Sequence, residues 1–115
     1  MRYERKHVTL TPELLAASTT ASRRRGEGIE SILARLTHLH LNGKLITCLE
    51  DCDIASACPC LQVLYLYDNG ITNAAPLAAC RHITHLYLEN NDLSTMAGLP
   101  VHTLQKLYLD GNCVA

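Results

Sequence analysis

The sequence contains neither phenylalanine nor tryptophan, and its only phenol rings are those of five tyrosines. Leucine, by contrast, occurs 20 times in 115 residues, so the core must be aliphatic. Long apolar runs are also lacking. A membrane-spanning helix needs about 20 predominantly apolar residues, which excludes a spanning protein here. The length is sufficient for one small domain and not for two.

The chain also lacks a strong net charge. Its formal charge is −1 and 18% of its residues are charged, which argues against a disordered polyelectrolyte. Residues 1–35 carry seven basic and four acidic residues, whereas residues 36–115 carry three and seven. The acidic second part is unfavourable for nonspecific nucleic-acid binding. Most of the basic excess lies in Arg23–Arg25, which we interpret as a solvated loop, with contact to phosphate or an acidic partner as the alternative.

Signals of secretion, metal binding and catalysis are lacking too. No apolar stretch follows Met1–His7, so we expect no secretory signal and a cytosolic or nuclear location, where six cysteines are expected as thiols. Cys48, Cys52, Cys58 and Cys60 have the spacing C-x3-C-x5-C-x-C, without the paired C-x2-C of a zinc knuckle. No nucleophile motif, phosphate-binding glycine loop or metalloprotease motif occurs. We therefore expect no metal, no cofactor and no enzymatic activity.

Four segments of the chain share the pattern L-x-x-L-x-L-x-x-N-x-L, with Ile, Val or Lys substituting at some positions. They begin at Leu36, Leu61, Ile83 and Leu104, which are 25, 22 and 21 residues apart. Leucines two residues apart point to the same face of a strand, so each copy predicts a short strand. One copy cannot bury its own leucines, so neighbouring copies must stack. We predict repeats at residues 36–60, 61–82, 83–103 and, incomplete, 104–115.

Asparagine marks the point where each predicted strand ends. Asn69, Asn91 and Asn112 fall in one column of the stacked repeats. An amide side chain both donates and accepts hydrogen bonds, so it can satisfy backbone groups that the bend leaves unpaired. Lys44 occupies this position in the first repeat, and an ammonium cannot accept, so a different arrangement is expected at that turn. Val114, after Asn112, is predicted to turn inward.

The segments that return between strands are short. Helical turns are predicted at Ile54–Cys58 and Pro76–Cys80, since Pro76 is suited to a first helical position. Two buried columns are predicted on this side of the solenoid. Their members are Leu49, Leu77 and Leu99 in the first and Cys58, Cys80 and Val101 in the second.

Residues 1–35 do not fit the repeat and are predicted to form an N-terminal helical cap. Thr11 followed by Pro12 is typical of a helix start. A second, amphipathic helix is indicated by the spacing of Ile29, Ile32, Leu33 and Leu36. The polar segment Ser18–Gly28 is expected to be a loop. The last repeat has no such cap, so we expect a fragment of a longer repeat protein, or coverage of that end by another chain.

The outward strand residues are predicted to form rows across neighbouring strands, on the concave side of the solenoid. The first row is His38, Val63, His85 and Lys106. The second row, between the two strand leucines, is His40, Tyr65, Tyr87 and Tyr108. The third row is Asn42, Tyr67, Glu89 and Asp110, with Asp68 and Asn90 beside the turn. Tyrosine rings suit recognition, so we expect a partner to bind there; the alternative is that they only cover the sheet.

The repeat resembles that of leucine-rich-repeat proteins of the 22-residue class, the type found in regulatory subunits of protein phosphatase 1. The resemblance covers about residues 29–114, and the phrases at residues 63–69, 83–91 and 104–112 carry it. It implies an α/β leucine-rich-repeat solenoid with a curved parallel sheet and short convex helices. It also implies a protein partner, either the phosphatase-1 catalytic subunit or, as in axonemal leucine-rich proteins, a cytoskeletal protein. A cytoplasmic location at the cytoskeleton, centrosome or cilium is the corresponding expectation.

The chain departs from this family in one respect that bears on function. The short phosphatase-docking motif usually ends in Phe or Trp, and this sequence contains neither. The nearest equivalent, Lys6–Leu10, ends in leucine and is interpreted as the lead-in to the first helix. An RNA-processing scaffold of the same repeat class is disfavoured by the acidic strand residues, and a nonfunctional fragment is the remaining alternative.

Overall fold

The computed structural model describes residues 8–113. Their order in the chain is two helices, a strand, a third short helix and three further strands, with a 3-10 turn at Ala75–Ala79 between the second and third strands. The helices are α1 at Pro12–Ala17, α2 at Ile29–Arg35 and α3 at Ile54–Ala57. The strands are β1 at His38–His40, β2 at Val63–Tyr65, β3 at His85–Tyr87 and β4 at Lys106–Tyr108. No helix within these residues has the length and apolar character needed to cross a membrane.

The four strands form one parallel sheet in the order β1-β2-β3-β4. In the register, Leu39 lies beside Leu64, Leu64 beside Leu86, and Leu86 beside Leu107. The first three of these leucines are fully buried, whereas Leu107 in the last coil is only partly buried. Each coil therefore depends on the next for burial of its leucines, as the repeat pattern predicted. The fold class, a stacked solenoid with a parallel sheet and few short helices, is confirmed.

The return segments pack their predicted leucines inward, and Leu49, Leu77 and Leu99 are all buried. Helix α3 and the 3-10 turn occupy the two predicted positions, each ending one residue before the predicted Cys58 or Cys80. Asp53 caps α3 by accepting a hydrogen bond from the Ser56 backbone N–H.

One predicted burial on this side is wrong. Cys58 and Cys80 are buried, but Val101, the third member of their column, is 53% exposed. The reason is a tight turn in the third return segment, where Val101 N–H donates to the Leu99 carbonyl at 2.8 Å. This bond centres the turn on Pro100, which takes the buried place while Val101 faces outward.

The helices before the repeats pack against each other and close the first coil. Thr11 accepts a hydrogen bond from Leu14 N–H, so the predicted N-cap is confirmed. Residues 18–28 contain no helix or strand, as predicted for the loop. This loop forms hydrogen bonds with the outer edge of β1. His40 N–H donates to the Ser18 carbonyl at 2.7 Å, and the Thr19 hydroxyl donates to the His38 carbonyl at 3.3 Å. The edge strand is thereby covered.

The turn that contains Lys44 is stabilised from two sides. Val8 forms a parallel bridge with Ile46 and donates its N–H to the Leu45 carbonyl at 3.1 Å. From the other side, the Asn69 side chain accepts hydrogen bonds from the N–H groups of Lys44 and Ile46. The prediction of a boundary between a cap at residues 1–35 and repeats at 36–115 stays a prediction. The predictions for Met1–His7 and Val114 lie outside the described residues.

Candidate protein-binding face

Four aromatic rings stack along the outward face of the sheet. The ring centroids of His40 and Tyr65 are 4.5 Å apart, and those of Tyr65 and Tyr87, and of Tyr87 and Tyr108, are 4.7 Å apart. Neighbouring planes differ by 6°, 16° and 8°, so the rings are nearly parallel. The spacing matches the separation of adjacent strands, because each strand contributes one ring at the same register position. We call these four residues the ring ladder.

The ring ladder is accessible from one side. His40, Tyr65 and Tyr87 are partly buried by their neighbours, and Tyr108 at the end of the stack is 37% exposed. Removal of water from the stack raises the pKa of Tyr87, and the neighbouring Tyr108, Tyr65 and Glu89 raise it further. Tyr87 therefore stays protonated well into the alkaline range and presents a hydroxyl that can both donate and accept.

The row on one side of the ring ladder is polar and partly basic. It consists of His38, Val63, His85 and Lys106, which are paired in the sheet register. Two Thr-His pairs recur in it, with the Thr37 hydroxyl 2.9 Å from His38 Nδ1 and the Thr84 hydroxyl 2.8 Å from His85 Nδ1. These contacts fix the direction of each imidazole ring.

The row on the other side is acidic. It consists of Tyr67, Glu89 and Asp110, each two residues after a member of the ring ladder. Backbone hydrogen bonds join neighbouring coils here, from Asp68 N–H to the Glu89 carbonyl and from Asn90 N–H to the Asp110 carbonyl. Glu89 Oε1 is shielded from water and has no hydrogen-bond partner within residues 8–113. We call Tyr67, Glu89 and Asp110 the acidic row.

The acidic row is bordered by a column of residues whose backbone is in the left-handed conformation. The sequence patterns did not identify this column. Gly43, Asp68, Asn90 and Gly111 occupy corresponding positions with φ between 56° and 78°. Asn90 Nδ2 donates to Asp68 Oδ1 at 2.9 Å, and the Asn90 side chain lies against Gly111, where a Cβ would overlap it. The recurrent Gly, Asp or Asn just before the column asparagine is the signal that could have revealed it, because these residues tolerate positive φ.

The asparagines predicted to form a column fasten each coil to the one before it. Asn91 accepts from Ile71 N–H and donates to the carbonyls of Leu66 and Leu88, at 3.0 Å in each case. Asn69 and Asn112 make the corresponding bonds in the neighbouring coils. These side chains point away from the ring ladder, so they hold the sheet in place and do not contact what lies on it.

The cysteines lie apart from this face. Burial raises the pKa of Cys58 to about 12 and that of Cys80 to about 11, so both stay protonated, as small apolar core residues do. Cys60 and Cys113 are exposed, and no two of the six cysteines form a disulfide. Within residues 8–113, no three side chains of His, Cys, Asp or Glu converge as they would around a metal ion.

The predicted binding residues therefore lie together on one surface, which we call the strand face. It comprises the first row, the ring ladder, the acidic row and Asp68, which lies beside the turn. The run at Arg23–Arg25 is not part of it: these exposed side chains belong to the loop before α2.

Comparison with known families agrees with this architecture. Residues 59–101 match a family model described as Leucine Rich repeats (2 copies). The matched segment contains β2, the 3-10 turn and β3, which are the central part of the sheet. Repeats of this family are typical of non-catalytic modules that bind other proteins.

Proposed function

We propose that this leucine-rich-repeat chain, an interaction module for a protein partner, binds its partner through the strand face. The observation that supports the proposal is the ring ladder, which is accessible from one side and has no cover within residues 8–113. Tyrosine combines a rigid apolar ring with a polar hydroxyl and loses little conformational entropy on binding, so it is favoured at protein interfaces. A repeat solenoid offers such a surface as a continuous sheet.

We further propose that the partner is the catalytic subunit of protein phosphatase 1. The support is the resemblance of the phrases at residues 63–69, 83–91 and 104–112 to leucine-rich-repeat regulators of that phosphatase, such as the testis leucine-rich repeat protein. A short docking motif does not contribute, because Leu10, the last residue of the nearest equivalent, is only 1% exposed. Binding would then use the strand face, in a cytoplasmic location at the centrosome or cytoskeleton.

The test is direct binding of the chain to purified phosphatase-1 catalytic subunit, measured by titration calorimetry. The variant for comparison carries Tyr65→Ala, Tyr87→Ala and Tyr108→Ala, with circular dichroism to establish that it folds. We expect the parent to bind and the folded variant to lose at least tenfold in affinity. A control with Val101→Ala, exposed on the third return segment and outside the ring ladder, should bind like the parent.

A cytoskeletal adaptor role is the second candidate. The burial of Leu10 and the absence of Phe and Trp favour a partner other than the phosphatase. A well-folded parent that fails to bind the phosphatase but co-sediments with microtubules, again dependent on the three tyrosines, would replace the first proposal with this one. Binding to neither would contradict both.

A further inference from the structure

The two edges of the sheet differ in what covers them. The outer edge of β1 is covered by the loop before α2, through the Ser18 carbonyl and the Thr19 hydroxyl. The opposite edge is β4, and within residues 8–113 no further strand pairs with it. An open edge strand is a template for pairing with a strand of another chain.

The backbone of β4 is ready for such a pairing. Lys106 N–H and the Tyr108 carbonyl are directed toward the preceding coil and form hydrogen bonds with it. Backbone groups alternate in direction along a strand, so those of Leu107 and Leu109 point away from the sheet. Both the donors and the acceptors of a further ladder are therefore present at this edge.

The side chains at this edge are also incompletely covered. Leu104, Leu107 and Leu109 are only partly buried, although the corresponding residues of the earlier coils are fully buried. Tyr108 is 37% exposed and stacks with one face on Tyr87, and no described ring lies on its other face. A partner strand with leucines on one side and a tyrosine on the other would complete both layers.

β4 carries one charge of each sign on its outward side. Lys106 and Asp110 are exposed and lie four residues apart, which is about 13 Å along a strand. Neither takes part in an ion pair among the described residues, where the one such pair joins Glu27 to Arg35. An antiparallel copy of the same strand presents these charges in the reverse order, so it is complementary to β4 in charge as well as in shape.

We propose that the β4 edge binds a second copy of this chain, with the two β4 strands antiparallel and related by a two-fold axis at Tyr108. This inference goes beyond the proposed function, because it concerns the edge of the sheet and requires no other protein. The covered edge of β1 cannot accept β4 of another copy, so head-to-tail growth is blocked. A two-fold pairing of β4 with β4 closes on itself and stops at a dimer.

The charges select one register of the two strands. With Tyr108 on the axis, the outward backbone groups of Leu107 meet those of Leu109 of the second copy, as an antiparallel ladder requires. Lys106 then lies opposite Asp110 of the second copy, and this opposition occurs twice, once on each side of the axis. It is the only register that brings these two residues together. The two Tyr108 rings meet at the axis, so the ring ladders of both copies join across an eight-stranded sheet.

The experiment measures self-association of the purified chain by sedimentation equilibrium. We expect the parent to form a dimer and no larger species. Lys106→Glu places two carboxylates opposite each other, and Asp110→Lys places two ammonium groups opposite each other, so each should raise the dimer dissociation constant at least tenfold. Arg23→Glu is the matched control, because it reverses an exposed charge at the covered end of the sheet, and it should dimerise like the parent.

Mixing the two weakened variants tests the register directly. In a mixed dimer of Lys106→Glu with Asp110→Lys, the introduced carboxylate faces the introduced ammonium, and the native Asp110 faces the native Lys106. The mixture should therefore dimerise with a dissociation constant within about threefold of the parent's, although neither variant does so alone. Circular dichroism of each variant establishes that it folds.

Three outcomes would overturn the inference. They are a folded parent that stays monomeric up to about 0.1 mM, association that continues beyond the dimer, and a mixture of the two variants that associates no better than each alone. None of these measurements involves another protein, so such a result leaves the proposed function in place.

Discussion

Asn91 shows how one polar side chain can hold two coils together. Its side chain is 4% exposed, yet every part of its amide forms hydrogen bonds. The oxygen accepts from Ile71 N–H of the previous coil, and the nitrogen donates to the Leu66 carbonyl of that coil and to the Leu88 carbonyl of its own. A buried amide that is satisfied in this way fixes the geometry of the turn, because one planar group supplies both a carbonyl acceptor and two N–H donors.

Replacing Asn91 with Ala should therefore lower the free energy of unfolding by about 1–3 kcal/mol, since it leaves the buried Ile71 N–H without its acceptor and removes one of the two side-chain donors from the carbonyls of Leu66 and Leu88. Urea unfolding followed by circular dichroism measures the change. The matched control is Asn42→Ala, a half-buried residue of the first repeat outside the asparagine column, where the expected change is within about 0.5 kcal/mol. Equal effects in the two variants would contradict the structural role of the asparagine column.

Glu27 is the most strongly perturbed acid of the described residues. Its side chain is 8% exposed and forms an ion pair with Arg35 at 2.8 Å, while also accepting from Arg24 N–H. The hydrogen bond from Arg35, and then that from the Arg24 backbone, lower the pKa of Glu27 from 4.5 to about 2. Because the folded pKa is depressed, this contribution to stability is complete above about pH 4.5 and is lost as the pH falls through about 2.

Glu27→Gln should therefore melt at a lower temperature than the parent at pH 7, and the difference should shrink as the pH is lowered from 4.5 to 2. Differential scanning calorimetry at several pH values measures it. Arg35→Met removes the same ion pair and should show the same trend. A difference from the parent that stays constant over this range would rule out the ion pair as its source.

Among the elements, the third return segment depends on one glycine. Gly98 has a φ of 84°, and an added Cβ would overlap the backbone of Ala75, within 2.7 Å of its nitrogen. The segment has no helix, unlike the two return segments before it, and packs directly on the start of the 3-10 turn. Absence of a side chain at Gly98 is what lets the two coils approach each other here.

Gly98→Ala should cost more than about 3 kcal/mol, because backbone strain and overlap with a neighbouring backbone act together. Gly26→Ala is the matched control: its φ is 76°, but nothing lies within 4 Å of an added Cβ, so only about 1–2 kcal/mol is expected from the left-handed conformation. Chemical unfolding of both variants gives the difference, and equal costs would show that the close approach is unimportant.

For the molecule as a whole, stability is expected to be uneven along the stack. The central leucines are fully covered by coils on both sides, while Leu104, Leu107 and Leu109 of the last coil are only partly buried. In a repeat solenoid each coil gains stability from contact with its neighbours. A coil with a neighbour on only one side therefore contributes less to the free energy of unfolding.

Leu64→Ala should therefore cost about 3–5 kcal/mol, and Leu107→Ala about 1–2 kcal/mol, although both occupy the same register position in the sheet. Urea unfolding of the two variants tests this order. Equal losses would mean that the last coil is as fully packed as the second.

The repeat pattern by itself determined the architecture. Leucines at a fixed spacing can be buried only by stacking, so the sheet, its register and the buried leucines were predictable, as were the N-cap at Thr11 and both helices before the repeats. The outward positions followed from the alternation of side chains along a strand, which is why the members of the ring ladder could be named from the sequence.

The tertiary structure alone decided the features that arise between coils. Pro100 rather than Val101 is buried, because a tight turn replaces the helical turn of the earlier coils. The pairing of Ser18 with the edge of β1 likewise depends on contact between segments distant in the sequence. The shielded oxygen of Glu89 has the same origin: a periodic pattern specifies which way a side chain points, whereas its solvation and partners depend on what the neighbouring coils place around it.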